Sequence, residues 1–294
     1  MSAWLGIVNP HAGGRAVQHR LRGVLDRLER DVCNLLFTGY PGHATALARE
    51  ARGYDGLAVA GGDGTVFEVL QGMDRQKQTL AIVPLGRGNS LARDLGLYPP
   101  SGAVPLASAR ALRIDLVEVA FEDSRGARQN VVAASTIALG YPAEAAAMAG
   151  RRFRRFGKLS YGMAAACVVP RFRRMYVSYS GEESAEKRLT GFLASNTRHA
   201  ANFAAFPDAC CHDGSFEAME LAAGFAGQSL HTVSTLSRLQ FYGPPARGNL
   251  TRVSVACEDP GELLVDGEIY PDVVSVELQV LPAALACASN RGAA

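Results

Sequence analysis

The feature that most constrains this chain is the order of its first hundred residues. Short apolar runs alternate with segments of helical periodicity, and the runs end in turn-forming, mostly glycine-bearing loops. Leu5–Val8 runs into Asn9-Pro10-His11-Ala12-Gly13-Gly14, after which Val17, Leu21, Val24, Leu25 and Leu28 recur at helical spacing. Val32–Phe37 reads as a second strand, and Ala44, Leu47, Ala48 and Ala51 mark one face of a second helix. Leu57–Ala60 leads into Gly61-Gly62-Asp63-Gly64-Thr65 and a helix carrying Val66, Val69, Leu70 and Met73. Leu80–Val83 closes on Pro84-Leu85-Gly86-Arg87-Gly88-Asn89 and a short helix through Leu95. Strand, crossover helix and strand in repetition predict a Rossmann-like parallel α/β domain.

From about Arg113 the pattern changes. Ile114–Phe121, Asn130–Leu139, Met175–Ser180, Arg188–Ser195, Phe216–Leu221, Leu250–Ala256, Glu262–Val265 and Val273–Val280 are short β-rich runs separated by turns. They predict an antiparallel β-sandwich domain, with a helical insertion around residues 141–169. The expected division is therefore 1–113 and 114–281.

Charge is unevenly placed. Arg151, Arg152, Arg154, Arg155, Lys158, Arg171, Arg173 and Arg174 fall between Ala145 and Gly181, a stretch without Asp or Glu. The whole chain is only +2, so the remainder is net −6. Interleaved with Phe153, Phe156 and Phe172, these cations suit an anionic membrane surface. A near-neutral balance and the lack of any nucleic-acid-binding motif argue against nucleic acid as partner. No apolar run approaches the ~20 residues of a membrane span. The N-terminus lacks the basic start and long apolar core of a signal peptide. Six scattered cysteines, with no CxxC pair, read as reduced thiols. The expected location is cytoplasmic, with peripheral attachment to the inner face of a membrane.

Chemistry concentrates in the two glycine loops. Glycines between a buried strand and a helix let backbone approach phosphate, and the helix start offers free N–H groups. Asp63 in such a loop would repel phosphate unless it holds a metal or orients a hydroxyl. Gly86-Arg87-Gly88-Asn89 follows the neighbouring predicted strand, so both loops should flank one crevice at the carboxyl edge of the sheet. Standing alone, Asp266-Gly267-Glu268 reads as a hairpin turn.

Asn9-Pro-His-Ala-Gly-Gly, Gly61-Gly-Asp-Gly-Thr-Val-Phe-Glu-Val, Pro84-Leu-Gly-Arg-Gly-Asn and Val265-Asp-Gly-Glu, in this order, resemble the diacylglycerol kinase catalytic family. Bacterial lipid kinases, sphingosine kinases and ceramide kinases belong to it. The resemblance implies an ATP-binding α/β domain, rejoined by about 282–294, and a β-sandwich domain that binds lipid. It implies phosphoryl transfer from ATP to a lipid carrying a free hydroxyl group. It places Asn9, Thr38, Gly62, Asp63, Gly64, Thr65, Glu68, Gly86, Arg87, Gly88 and Asn89 at the nucleotide. Asp266 takes the place of the general base, with Asp63 helping to hold the nucleotide–metal unit. His212-Asp213-Gly214-Ser215 matches a segment that binds structural Mg²⁺ through the Asp213 side chain and the carbonyls of Cys210 and Ser215.

Two positions depart from the family. Arg87 stands where a small hydroxyl residue is usual, and could pair with phosphate instead. Ser90 stands where Asp is common. The stretch Ser195–Asn202 also lacks the family's glycine-rich run. An NAD kinase would share Gly-Gly-Asp-Gly-Thr, but its Thr-Pro-Thr-Gly-Ser-type signature is missing. A non-catalytic member that binds lipid or nucleotide is the other alternative. The acceptor lipid and the oligomeric state have no readable code in the sequence.

Overall fold

The computed structural model describes residues 3–13, 15–86, 88–97, 110–153, 160–168, 171–180, 182–200, 203–222 and 246–289. The chain divides into two compact units, Met1–Leu116 with Pro282–Ala294, and Val117–Leu281.

The first unit is a parallel sheet with helices. Its elements are β1 (Trp4–Val8), α1 (Arg15–Asp31), β2 (Asn34–Phe37), α2 (His43–Glu50), β3 (Gly56–Gly61), α3 (Asp63–Gly72), β4 (Thr79–Pro84) and α4 (Ser90–Asp94). The strands lie in the order β2-β1-β3-β4, all parallel, and the end of β16 (Glu268–Ser289) adds a further parallel strand through Ala286↔Thr79 and Cys287↔Leu80. β1, β3 and β4 are buried on both faces and so are apolar without alternation, whereas β2 at the edge is largely exposed. Trp4, Val8, Ala58, Ala60, Ala81 and Val83 bury one face against Val24 and Leu28 of α1, four residues and one helical turn apart. Leu5, Ile7, Leu57, Val59, Leu80 and Ile82, at the opposite parity, are equally buried. The return of the chain is pinned where Ala283, in the left-handed region at φ 46°, donates its N–H to Asp115 Oδ1 at 2.7 Å.

The second unit is antiparallel. It holds β6 (Arg128–Ala133), β7 (Thr136–Gly140), α5 (Tyr141–Arg152), α6 (Ser160–Cys167), β8 (Arg173–Tyr179), β9 (Ala185–Leu189), β10 (Gly191–Ser195), β11 (His199–Ala200), β12 (Phe203–Ala204), β13 (Phe216–Leu221), β14 (Arg247–Leu250) and β15 (Arg252–Val265). β5 (Arg110–Asp123) and β16 carry the chain between the units. The order is β14-β13-β10-β7-β15-β16, with β8 also on β15, β9 on β8 and β6 on β5. β15 serves two partners because a bulge between Ala256 and Gly261 divides it: Val253–Cys257 pair with β8, Leu263–Val265 with β7. What reads as two runs in the sequence is thus one strand. α5 starts with Pro142 in its first turn and ends on Arg151 and Arg152, which complement the helix dipole. Tyr141 Oη ties it to the Ala165 carbonyl of α6 at 2.7 Å.

Three expectations change. The run 130–139 is broken at Ala134-Ser135, and 188–195 at Thr190, where the N–H turns to the Leu221 carbonyl. Arg173 is not a surface cation: its buried guanidinium is ion-paired with Glu144 of α5. Arg174 faces Glu186 and Glu258, whereas Arg154, Arg155, Phe156 and Lys158 lie outside the described residues. Among the described residues no helix is long and apolar enough to cross a membrane.

Gly72 closes α3 against α2. A Cβ there would press into the Thr45 carbonyl and come within 2.9 Å of Ala48 Cβ. In an open helix Gly→Ala would stabilise by about 1 kcal/mol. Here the sign reverses: Gly72→Ala should cost about 1–3 kcal/mol, seen as a melting temperature several degrees lower. An unchanged or higher melting temperature would show that α2 yields freely.

Candidate active site

The strand order places the topological switch point of the parallel sheet between β1 and β3, since the chain leaves β1 outward to β2 and returns to β3 on the other side. In open α/β sheets the crevice beyond such strand ends is where ligands bind. Asn9 lies just past the end of β1, and Gly61-Gly62-Asp63 ends β3. Asn9 N–H donates to the Ala60 carbonyl at 2.9 Å, and its side-chain Nδ2 donates to Thr65 Oγ1 at 3.0 Å. Its Oδ1 accepts from His11 N–H at 2.9 Å, folding the following loop back.

The second loop leans directly on the first. Leu85 and Gly86 N–H both donate to the Gly61 carbonyl, at 2.8 and 3.2 Å. A Cβ on Gly62 would lie 3.0 Å from Gly86 Cα, and one on Gly86 would be closer still to Gly62 Cα. Any side chain at either position would separate the loops. Asn89, at φ 53°, turns its side chain back on Gly86, accepting from its N–H at 2.9 Å and donating to its carbonyl at 2.7 Å. Arg93 Nε donates to the Gly88 carbonyl at 2.8 Å. Arg87 itself lies outside the described residues.

Asp63 joins the two loops. It is the first residue of α3, yet its carboxylate serves the start of α4: Oδ2 accepts from Asn89 N–H and Oδ1 from Ser90 N–H, each at 2.8 Å. Burial pushes the Asp63 carboxyl above its usual value, opposed by the Ser90 and Asn89 N–H bonds and by Arg93. The carboxylate that the sequence suggested for a metal or hydroxyl thus spends both oxygens on backbone. It is a positioning residue for the loops. Gly64 and Thr65 complete the first turn of α3, where a helix presents N–H groups outside its own ladder.

Two further expected nucleotide residues sit one strand outward. Thr38 follows β2 and is held by its N–H to the Val8 carbonyl at 2.9 Å. Glu68, on α3, caps α2: Oε2 accepts from Ala44 N–H at 3.0 Å, and its carbonyl accepts from Thr45 Oγ1 at 2.7 Å. In this structure Glu68 fixes a helix start, as Asp63 does.

In the second unit Asp266 and Gly267 form a two-residue hairpin between β15 and β16, both at positive φ. The Asp266 carboxylate is 5% exposed and accepts three backbone N–H groups, from Ala134 at 2.6 Å, Ser135 at 3.0 Å and Thr136 at 2.8 Å. Those residues are the bend that splits the expected 130–139 strand. Behind the bend lies a buried hydroxyl cluster that the sequence did not reveal. Ser135 Oγ and Thr197 Oγ1 are 2.7 Å apart, and Ser195 Oγ donates to the Thr197 carbonyl at 2.8 Å. Its only trace in the sequence is two small polar runs, Ser135-Thr136 and Ser195-Asn196-Thr197, inside apolar strands.

Asp213 stands in the turn before β13, its Oδ1 accepting from Ser215 N–H at 3.0 Å and Oγ at 2.9 Å. Cys210 Sγ lies 3.5 Å from the His212 ring. Two residues past Ser215, Glu217 is buried, and one of its oxygens has no hydrogen-bond partner. Its carboxyl is pushed up to about 7, by burial first and then by the Asp213 and Asp208 carboxylates. Among the described residues no cluster of three His, Cys, Asp or Glu side chains is spaced to hold a metal.

The diacylglycerol kinase catalytic domain family matches residues 3–119, the segment that carries both glycine loops. The match supports the diacylglycerol kinase catalytic family over that segment. A diacylglycerol kinase of Bacillus subtilis is 36% identical over 97 residues, 31% of this chain and 32% of that protein. Sphingosine kinase B of Dictyostelium discoideum is 29% identical over 109 residues, 33% of this chain and 14% of that one. The matched stretch thus spans about a third of the Bacillus relative. Likeness of fold runs further. The crystal structure of a diacylglycerol kinase from Bacillus anthracis superposes with a TM-score of 0.75 at 21% identity, covering 98% of this chain and 97% of that one.

The Asp266 geometry gives a sharp expectation. In Asp266→Asn the amide can accept from one side of the bend, but its NH₂ then faces a buried N–H. Asparagine tolerates positive φ, so the backbone is not the obstacle. The variant should lose about 1–3 kcal/mol, seen as a lower urea midpoint. An unchanged midpoint would mean that the bend re-pairs without the carboxylate.

Proposed function

We propose that this protein is a lipid kinase of that family, transferring the γ-phosphoryl group of ATP to the hydroxyl group of a lipid. The observation that carries the proposal is the pair of glycine loops in backbone contact beyond the ends of β3 and β4, beside the switch point. Glycines keep that surface clear of side chains, and the start of α3 supplies N–H groups for phosphate oxygens. The family match over residues 3–119 supports a kinase. The names of the relatives, one acting on diacylglycerol and one on sphingosine, support a lipid acceptor.

In this proposal Asn9, Thr65 and the loops Gly61–Gly64 and Gly86–Asn89 cradle the phosphates. Asp63 and Glu68 hold the loops and helix starts in place. Asp266 accepts the hydroxyl proton as the phosphoryl group arrives, since an alcohol is a poor nucleophile until a carboxylate takes its proton. Mg²⁺ fits the Asp213 turn chemically. The available donors, the Asp213 carboxylate and the Cys210 and Ser215 carbonyls, are all oxygen, and Glu217 adds an unpartnered buried carboxylate oxygen. A cation there would brace the turn before β13.

The direct test incubates the full chain with Mg²⁺, ATP and a mixed extract of hydroxyl-bearing lipids, and reads the products by mass spectrometry. A lipid gaining one phosphate is expected. Gly86→Ala should abolish product formation, and Asp266→Asn should lower turnover about 10²–10⁴-fold at a temperature where it remains folded. No phosphorylated lipid from any fraction would overturn the proposal.

We also propose that the basic segment meets an anionic bilayer. Arg151, Arg152, Arg171 and Phe172 are available on the surface, Phe172 being 45% exposed. Each cation near such a surface is worth about 1 kcal/mol. Replacing Arg152 and Arg171 by Glu should weaken sedimentation with phosphatidylglycerol vesicles more than tenfold at low salt. Equal sedimentation of both proteins would show the segment to be an ordinary solvated face.

A further inference from the structure

Glu217 is the described carboxylate with the least local compensation. It lies in β13, opposite Ser195 of β10, and is 7% exposed, so more than nine-tenths of it is out of water. Oε2 has no hydrogen-bond partner. The charges acting on it are the carboxylates of Asp213 and Asp208, of its own sign. On β14, the strand alongside, a Cβ added at Gly248 would lie 3.8 Å from Glu217 Oε1.

The neighbouring cations are committed elsewhere. Arg247 of β14 pairs with Glu182 at 3.0 Å and lies over the Tyr179 ring, 4.2 Å from its centroid. Lys187 pairs with Glu220 at 2.6 Å. Arg198 Nε donates to the Ala209 carbonyl at 3.2 Å. The protein therefore encloses an unpartnered carboxyl oxygen beside two further carboxylates and, among the described residues, aims no cation of its own at it. A buried carboxyl oxygen is disfavoured unless something partners it.

The neighbouring turn says what that is. Asp213 Oδ1 is already engaged by Ser215, and the turn carries only oxygen donors of the kind a hard cation takes. The softer donors nearby, Cys210 Sγ and the His212 ring, approach each other at 3.5 Å.

We infer that Glu217 is a ligand, together with Asp213, for one hard divalent cation at the start of β13, which makes the site in this chain a two-carboxylate site. The inference rests on the proposal that the Asp213 turn holds Mg²⁺, and adds to it a charge that the family resemblance does not assign. Two carboxylates raise affinity over a site with one, because ligand charge count sets the affinity of such sites. Cation binding then contributes directly to the stability of the second unit, independent of turnover.

The test uses the full chain, stripped with EDTA and titrated with Mg²⁺ alone, without nucleotide. Binding is read by calorimetry and by the rise in melting temperature. Wild type is expected to bind one Mg²⁺ and to melt at higher temperature with it. Glu217→Gln and Asp213→Asn should each weaken binding at least tenfold. Glu217→Gln should gain less melting temperature on Mg²⁺ addition than wild type does. Glu217→Asp, which keeps the charge but shortens the reach, should also bind more weakly, and it decides between the outcomes if the glutamine variant fails to fold. If the Glu217 variants bind Mg²⁺ as tightly as wild type while Asp213→Asn does not, the turn holds the ion without Glu217 and this inference is wrong. If wild type binds no Mg²⁺, the proposal for the turn falls and the inference with it.

Discussion

The first unit depends on one carboxylate held between two backbones. Asp63 begins one helix and caps the next, so the ends of β3 and β4 cannot move independently. Two hydrogen bonds to a buried carboxylate are worth more than their neutral equivalents, and removing their acceptor would strand two N–H groups. The contact of Gly62 with Gly86 follows from that bridge, as does the αL geometry of Asn89. The desolvation that raises the Asp63 carboxyl is the cost of placing the charge there, and the N–H bonds offset it. The cradle is stiff because its glycines are clamped from the side.

The same device recurs. Glu68 caps α2, and Asp266 gathers three N–H groups from a bend 130 to 132 residues earlier in the chain. In each case an acidic side chain that looks like reaction chemistry in the sequence orders backbone in the fold. At Asp266 the proposed proton-acceptor role is compatible with this one, since a proton acceptor must be held still to act. They also mean that loss of activity on replacing such a residue has two physical sources, which stability measurements separate.

How much of this was legible depended on the range of the controlling interaction. The parallel unit could be read because β1, β3 and β4 are almost wholly apolar and glycine-bearing loops follow them. The hairpin at Asp266-Gly267 was legible as a turn for the same local reason. The break at Ala134-Ser135 was not, because a carboxylate far along the chain produces it. Nor was the continuity of β15, where a bulge absorbs Pro260 within a strand. Arg173 was misplaced on the surface because its partner, Glu144, lies one residue outside the acid-free stretch that made the charge pattern conspicuous. Glu217 showed nothing, since a glutamate in a strand reads as a solvent-facing residue until burial is known.

β16 has a consequence for the order in which the protein can be made. The strand that flanks β4 includes Ala286 and Cys287, so the ribosome has synthesised Thr79 and Leu80 some two hundred residues before their partner exists. During that interval the side of β4 away from β3 is an open edge of a parallel sheet, and open edges template wrong pairings. The nascent chain must protect or tolerate that edge throughout synthesis of the second unit. The half with the glycine loops, although first in sequence, is therefore the last to close.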